Sequence, residues 1–182
     1  MFRGTHLKRV VAVVIGVFLL PTLSLVPAAG DAVQPDDVQP FSYTRFVNWV
    51  GYQKCLVVQG PSDGSLAFLY DCLPYDDQLW QLEPTGDGDY WIRNKNSLKC
   101  LVVQGDADGA RAFQYTCLSD LKYIDQHWVK VPDLTGKGRG FQLRNSNSEK
   151  CLVAQGGVNN APAFQYTCLD FDDQYWRHPG GF

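Results

Sequence analysis

The chain has 182 residues, with 16 lysines and arginines against 19 aspartates and glutamates, a formal charge of −3 and 45% hydrophobic residues. Beyond residue 30, only 13 of the basic residues remain beside all 19 acidic ones, a charge of −6. Such a chain lacks the counterion-release term that drives nucleic-acid binding and is repelled by anionic membranes, so nucleic-acid and membrane partners are set aside.

Residues 1–30 read as a secretory signal peptide. Arg3, Lys8 and Arg9 form a basic start, Val11 to Leu20 is apolar apart from Gly16, and the small residues Ala28, Ala29 and Gly30 suit cleavage within 28–32. Pro21, Thr22 and Ser24 break the apolar stretch short of the ~20 residues that a bilayer span needs. A secreted, extracellular protein is expected. Residues 31–43, with Gln34-Pro35, Gln39-Pro40 and clustered acids, read as a flexible lead-in. The remaining 44–182 are one domain's worth of chain.

From there the same unit runs three times, at about 44–84, 90–132 and 141–178. Cys55-Leu56-Val57-Val58-Gln59-Gly60 recurs as Cys100-Leu101-Val102-Val103-Gln104-Gly105 and as Cys151-Leu152-Val153-Ala154-Gln155-Gly156. A second cysteine follows 17 positions later, at Cys72, Cys117 and Cys168. Gln78-Leu79-Trp80, Gln126-His127-Trp128 and Gln174-Tyr175-Trp176 close the units at a period of 48 residues. Repetition at a fixed period marks supersecondary units that cannot bury a core alone. Runs such as Ala112-Phe113-Gln114-Tyr115-Thr116 and Phe141-Gln142-Leu143-Arg144 are divided by turn clusters such as Asp106-Ala107-Asp108-Gly109 and Gly136-Lys137-Gly138-Arg139-Gly140. This predicts an all-β chain of strands and hairpins. Three units of about four strands fit a closed barrel of pseudo-threefold symmetry, whereas a propeller needs at least four blades.

An even cysteine count in an oxidising compartment predicts disulfides. Of the 15 pairings that six cysteines allow, equivalent units select Cys55–Cys72, Cys100–Cys117 and Cys151–Cys168. Zinc is set aside for want of short cysteine pairs and ligand histidines, since only His127 and His178 follow the signal segment. Trp80, Trp128 and Trp176, repeated by the symmetry, are assigned to the shared core, with Gln78, Gln126 and Gln174 satisfying buried backbone groups.

These motifs resemble the ricin B-type lectins, β-trefoils with a Gln-x-Trp signature in each unit, over about residues 44–178. The Lys-Cys-Leu entries at Lys54, Lys99 and Lys150 match as well. The resemblance implies a shallow sugar pocket per unit. In the family an aspartate two residues after the first cysteine accepts from paired hydroxyls, and an aromatic two residues before the second cysteine stacks on the sugar. A polar residue lies two positions before that aromatic, and an asparagine precedes Gln-x-Trp. Here the aromatics are Tyr70, Tyr115 and Tyr166, and the residue before Gln-x-Trp is Asp77, Asp125 or Asp173. The pocket aspartate is replaced by Val57, Val102 and Val153, and the polar residue by Phe68, Phe113 and Phe164. Two readings follow: either the pockets have degenerated into extra core, or they have been rebuilt. In the rebuilt pocket Gln59, Gln104 and Gln155 point to the side of the lost aspartate and supply neutral hydrogen bonds beside the tyrosine.

No nucleophile, acid–base pair or cofactor loop stands out, so a non-catalytic protein without cofactor or metal is expected. His127 and His178 lack a triad-like context, and the acids Asp76, Asp77, Asp170, Asp172 and Asp173 read as turn residues or ligand contacts. Gly136 to Gly140 lacks the P-loop spacing and reads as a hairpin turn. Asp87-Gly88-Asp89 lacks the rest of a calcium loop. Carbohydrate is the expected partner and a monomer the expected state. The rival is a protein-binding or inhibitor trefoil acting through the unit-two insertion at Ser119–Tyr123, with Leu121, Tyr123 and Ile124 as its contact residues.

Overall fold

A computed structural model describes residues 42–51, 54–120 and 122–179. The signal segment, most of the lead-in and Leu121 lie outside the described residues. Each unit supplies four strands: β1 Val47–Asn48, β2 Lys54–Val58, β3 Ala67–Asp71 and β4 Trp80–Pro84; β5 Tyr90–Asn94, β6 Cys100–Val102, β7 Phe113–Tyr115 and β8 His127–Pro132; β9 Phe141–Asn145, β10 Cys151–Ala154, β11 Ala163–Tyr166 and β12 Trp176–Arg177.

Six of these strands form the barrel. The antiparallel path runs β1-β12-β9-β8-β5-β4. It closes where Thr44 and Trp80 exchange backbone hydrogen bonds at 2.8 Å in both directions. Closure leaves no barrel edge unpaired. The other six strands are three hairpins, β2-β3, β6-β7 and β10-β11. Bridges Leu66–Phe113, Arg111–Phe164 and Phe68–Pro162 join them in a ring.

The alternating sequence sorts the side chains. Leu56, Val58, Leu69, Leu101, Val103, Leu152 and Ala154 face inward and meet Phe46, Ile92 and Leu143 of the barrel around Trp80, Trp128 and Trp176. All three indoles are fully buried, and each donates its N–H to a strand carbonyl: Trp80 to Leu56 at 2.9 Å, Trp128 to Leu101 at 3.0 Å and Trp176 to Leu152 at 3.0 Å. Thus a large apolar ring is buried without leaving its polar handle unmade. The disulfides pair within units as the repeat predicts, Cys55–Cys72, Cys100–Cys117 and Cys151–Cys168.

Neighbouring units are fastened by three buried asparagines. Asn94 donates to the Asp77 carbonyl at 3.0 Å, Asn145 to Asp125 at 2.9 Å, and Asn48 to Asp173 at 2.9 Å. Each therefore reaches back to the preceding unit, and the first unit reaches the last. Their Oδ1 atoms accept from the turns that follow, at Val50, Asn96 and Asn147.

The turn between β8 and β9 holds a buried charge. Arg139 is 1% exposed, as is the side chain of its partner Asp133. Asp133 accepts from the Arg139 backbone N–H and Nε, both at 3.1 Å, while Asp170 and Asp172 come from unit three and the Tyr175 ring stacks 3.7 Å from the guanidinium carbon. The acids Asp170 and Asp172, open to either reading in the sequence, serve here as partners of a buried arginine.

Candidate functional site

Register builds one equivalent site on the outer face of each hairpin. Val57 lies opposite Phe68 and Cys55 opposite Tyr70; Val102 lies opposite Phe113 and Cys100 opposite Tyr115; Val153 lies opposite Phe164 and Cys151 opposite Tyr166. Because Leu56, Leu101 and Leu152 face the core, the valines face away from it. They are nevertheless only 1% exposed, covered on that outer face. Phe68, Phe113 and Phe164 are half-buried, and the Phe68 ring meets Tyr70 edge-on at 6.5 Å. Tyr115 and Tyr166 keep about two-fifths of their surface exposed, and Tyr70 is partly exposed.

A short 3-10 turn brings the acid to this face. Asp76–Gln78, Ile124–Gln126 and Asp172–Gln174 each form one, packed against β2, β6 and β10 respectively. The glutamine of Gln-x-Trp holds the turn in place. Gln78 Oε1 accepts from Leu73 N–H and its Nε2 donates to the Asp71 carbonyl, both at 2.8 Å. Gln126 does the same with Leu118 and Thr116, and Gln174 with Leu169 and Thr167. Each amide thus ties the segment just after the tyrosine to the turn that carries the aspartate.

Asp77, Asp125 and Asp173 are half-buried, and in all three the Oδ1 atom is buried with no hydrogen-bond partner. Burial pushes each carboxyl above the usual carboxylate range. At Asp173 the Gln155 amide partly offsets this. Among the described residues, Gln59 and Gln104 make no such contact and sit exposed beyond the strand ends. The structure thus brings Gln155 to its aspartate and leaves the other two glutamines apart.

The sign of the aspartate effect is testable. An acid whose folded pKa is raised binds its proton more tightly when folded, so its ionised form costs stability above the unfolded pKa. Asp125→Asn is therefore expected to raise the urea midpoint at pH 7, by on the order of 1 kcal/mol before solvent screening. The gain should vanish near pH 3, below the ordinary value of 3.8. A midpoint lowered at pH 7 would contradict it.

Sequence reasoning missed two of three further aromatics and named the third, Tyr123, only as a contact residue of the insertion loop. Tyr75, Tyr123 and Phe171 stand at the N-terminal edge of the 3-10 turns, with Tyr75 60% and Phe171 62% exposed. The signal was present: an aromatic lies two residues before the aspartate in every unit. The insertion loop folds on itself, with Lys122 paired to Asp120 at 3.0 Å and lying 4.8 Å over the Tyr123 ring.

A family model described as ricin-type beta-trefoil lectin domain-like matches residues 39–115. The designed threefold-symmetric protein ThreeFoil is 30% identical with a TM-score of 0.68, over 75% of this chain and 96% of that one. This chain belongs to the ricin-type β-trefoil lectin family. The Rhizoctonia solani agglutinin shares the trefoil fold at 17% identity and a TM-score of 0.66, over 76% of this chain and 94% of the agglutinin. The hemolytic lectin CEL-III is 25% identical with a TM-score of 0.59, over 74% of this chain but 29% of that lectin. The trefoil described here therefore spans under a third of CEL-III. Comparison with curated proteins finds no match. At the strand position where the resemblance implies an aspartate stand Val57, Val102 and Val153, while Asp77, Asp125 and Asp173 lie on the 3-10 turns.

Proposed function

We propose that the protein is a secreted, non-catalytic carbohydrate-binding protein with up to three rebuilt pockets, each formed by a tyrosine stacking face and a turn aspartate. One observation carries this reading. In each unit an aspartate with a buried, unpartnered Oδ1 lies on a turn packed against the strand that pairs with the tyrosine's own strand. A carboxylate oxygen accepts hydrogen bonds only, so a hydroxyl donor satisfies it with charge assistance, while the ring covers the C–H face of a sugar. The replacement of the strand aspartate by valine moves the acceptor without abolishing it. Three disulfides support an oxidising, extracellular setting, and no helix among the described residues is long and apolar enough to cross a membrane.

The test is a glycan array, extended with insoluble polysaccharides, using oxidised protein beside a Tyr115→Ala/Tyr166→Ala variant. Loss of a stacking ring is expected to weaken each site about tenfold, some 1.4 kcal/mol, and the loss of avidity between sites multiplies that effect. Silence from the folded parent would transfer the function to a protein partner, and glycan binding at full strength in the double variant would place the sugar away from the Tyr115 and Tyr166 pockets.

A further inference from the structure

The three candidate sites differ in one wall, and that wall comes from the preceding unit. Phe68 of site one bridges to Pro162, Phe113 of site two to Leu66, and Phe164 of site three to Arg111. Leu66, Arg111 and Pro162 are equivalent positions, each immediately before a buried alanine, Ala67, Ala112 or Ala163.

Register fixes where these side chains lie. Around the Arg111–Phe164 bridge the Ala112 N–H donates to the Ala163 carbonyl at 3.0 Å, and the Gln165 N–H to the Ala110 carbonyl at 2.9 Å. Bonds that flank a bridge in this way mark a non-hydrogen-bonded antiparallel pair. Its Cα atoms lie about 4.5 Å apart, with both side chains on one face. Phe164 shares the outer face with Val153, opposite which it stands, so Arg111 is on that face too. Leu66 takes the same place at Phe113, flanked by Ala67 N–H to Ala112 and Gln114 N–H to Ser65, both at 2.9 Å.

Arg111 is exposed, and among the described residues its guanidinium has no hydrogen-bond or ion-pair partner. Asp108, three residues earlier, is already engaged by Lys150 and by the Thr167 N–H, each at 2.8 Å. Gly109 donates to the Gln165 carbonyl at 2.8 Å, and a Cβ there would meet nothing within 4 Å, so the space next to Tyr166 is open. Asp173 comes from the other side, on a turn packed against β10, whereas Arg111 flanks β11. Site three thus has an acid at one edge, two aromatic rings between, and a free cation at the other edge. A guanidinium holds a carboxylate or a sulfate through two parallel hydrogen bonds. Proline and leucine offer nothing of the kind at sites one and two.

We propose that Arg111 makes site three selective for a sugar unit bearing a carboxylate or sulfate, while sites one and two take neutral units. The inference rests on the tyrosine pockets proposed above and adds the residue that makes them unequal.

The test is titration of the oxidised protein with matched methyl glycosides, followed through the Arg111 Nε–H signal by NMR. The pairs are the glucuronide against the glucoside and the galacturonide against the galactoside. An exposed ion pair contributes up to about fivefold in affinity. The acidic member of one pair is therefore expected to bind roughly fivefold tighter, with an Arg111 shift that its neutral partner does not produce. Added salt should erode the preference. Arg111→Leu puts at site three the side chain that site two already carries, so it should fold, and it should bring the acidic sugar down to its neutral partner. Leu66→Arg should give site two the same preference, seen as shifts at Tyr115. Acidic and neutral members binding alike, with no change on Arg111→Leu, would overturn the assignment and leave the pockets standing. So would acidic binding that survives Tyr166→Ala, or silence from both pairs in a protein that binds on the glycan array. Silence in both experiments would overturn the pockets as well.

Discussion

Reduction of the three disulfides is expected to abolish the cooperative thermal transition, measured by near-ultraviolet circular dichroism with and without a phosphine reductant. Each bridge closes a loop between cysteines 17 positions apart, similar to one worth roughly 3 kcal/mol through the restriction of the unfolded chain. The loops lie in separate units and do not overlap, so their contributions approximately add, to about 9 kcal/mol. Native domains have net stabilities of only about 5–15 kcal/mol. Reduced protein thus falls close to or below the folding threshold even though the core is unchanged. A single Cys117→Ala/Cys100→Ala variant should lose about a third of that effect. An unchanged melt after verified reduction would mean that the barrel stands without its bridges.

Arg139→Met should be among the most damaging single substitutions, costing about 3–5 kcal/mol in urea melts at pH 7. Methionine fills much of the arginine's volume, so the loss is chiefly electrostatic. Asp133, only 1% exposed, would keep its charge with its main partner gone. In the parent protein the Arg139 hydrogen bonds, aided by Thr135, hold the Asp133 carboxyl far below the usual carboxylate range. Asp170 is likewise drawn down to about 2 by Arg139 and Lys137. The sign follows directly: an acid with a depressed folded pKa stabilises above its unfolded value and loses that contribution as pH falls through the folded one. The penalty of Arg139→Met is therefore full at pH 7 and shrinks below about pH 4, where Asp133 is free to take a proton. Adding Asp133→Asn should restore a large part of the loss at neutral pH, because breaking a buried pair costs more than removing both charges. If the double variant is no more stable than Arg139→Met alone, the uncompensated charge is not the cause.

The barrel and its staples were legible because both follow from local, repeated signals. Cys55 with Cys72 and Trp80 with its glutamine recur in register, and alternation alone sends Leu56 inward and Val57 outward. What escaped depends on distant partners. Arg139, bracketed by Gly138 and Gly140, has the local signature of a solvated hairpin turn; its burial is imposed by Asp170, Asp172 and Tyr175, which lie more than thirty residues away in the chain. Gly140 was equally opaque: at φ +98° it lies where a Cβ would strike the Trp176 carbonyl, a contact that the pairing of β9 with β12 creates. At the candidate sites the tyrosines and aspartates could be named from the resemblance. Whether an aspartate oxygen would be left without a donor could not, since that depends on how the 3-10 turn packs against β2, β6 or β10. The aromatics Tyr75 and Phe171 were visible as repeats, but nothing local distinguishes an exposed turn aromatic from one that folds into the core.

The three asparagine fasteners have a wider consequence. Asn94 secures the turn of unit one, Asn145 that of unit two and Asn48 that of unit three, so the backbone carrying each candidate aspartate is positioned by the unit that follows. No unit owns a complete candidate site, and an excised one would lack the clamp on its own acid. The fastening is also circular, with no first or last member, even though β1 and β12 pair over two residues where β4–β5 and β8–β9 each pair over five. The order of the units along the gene is in this sense arbitrary, and opening the chain instead at the Thr85–Asp89 turn would leave every clamp in the ring to be made.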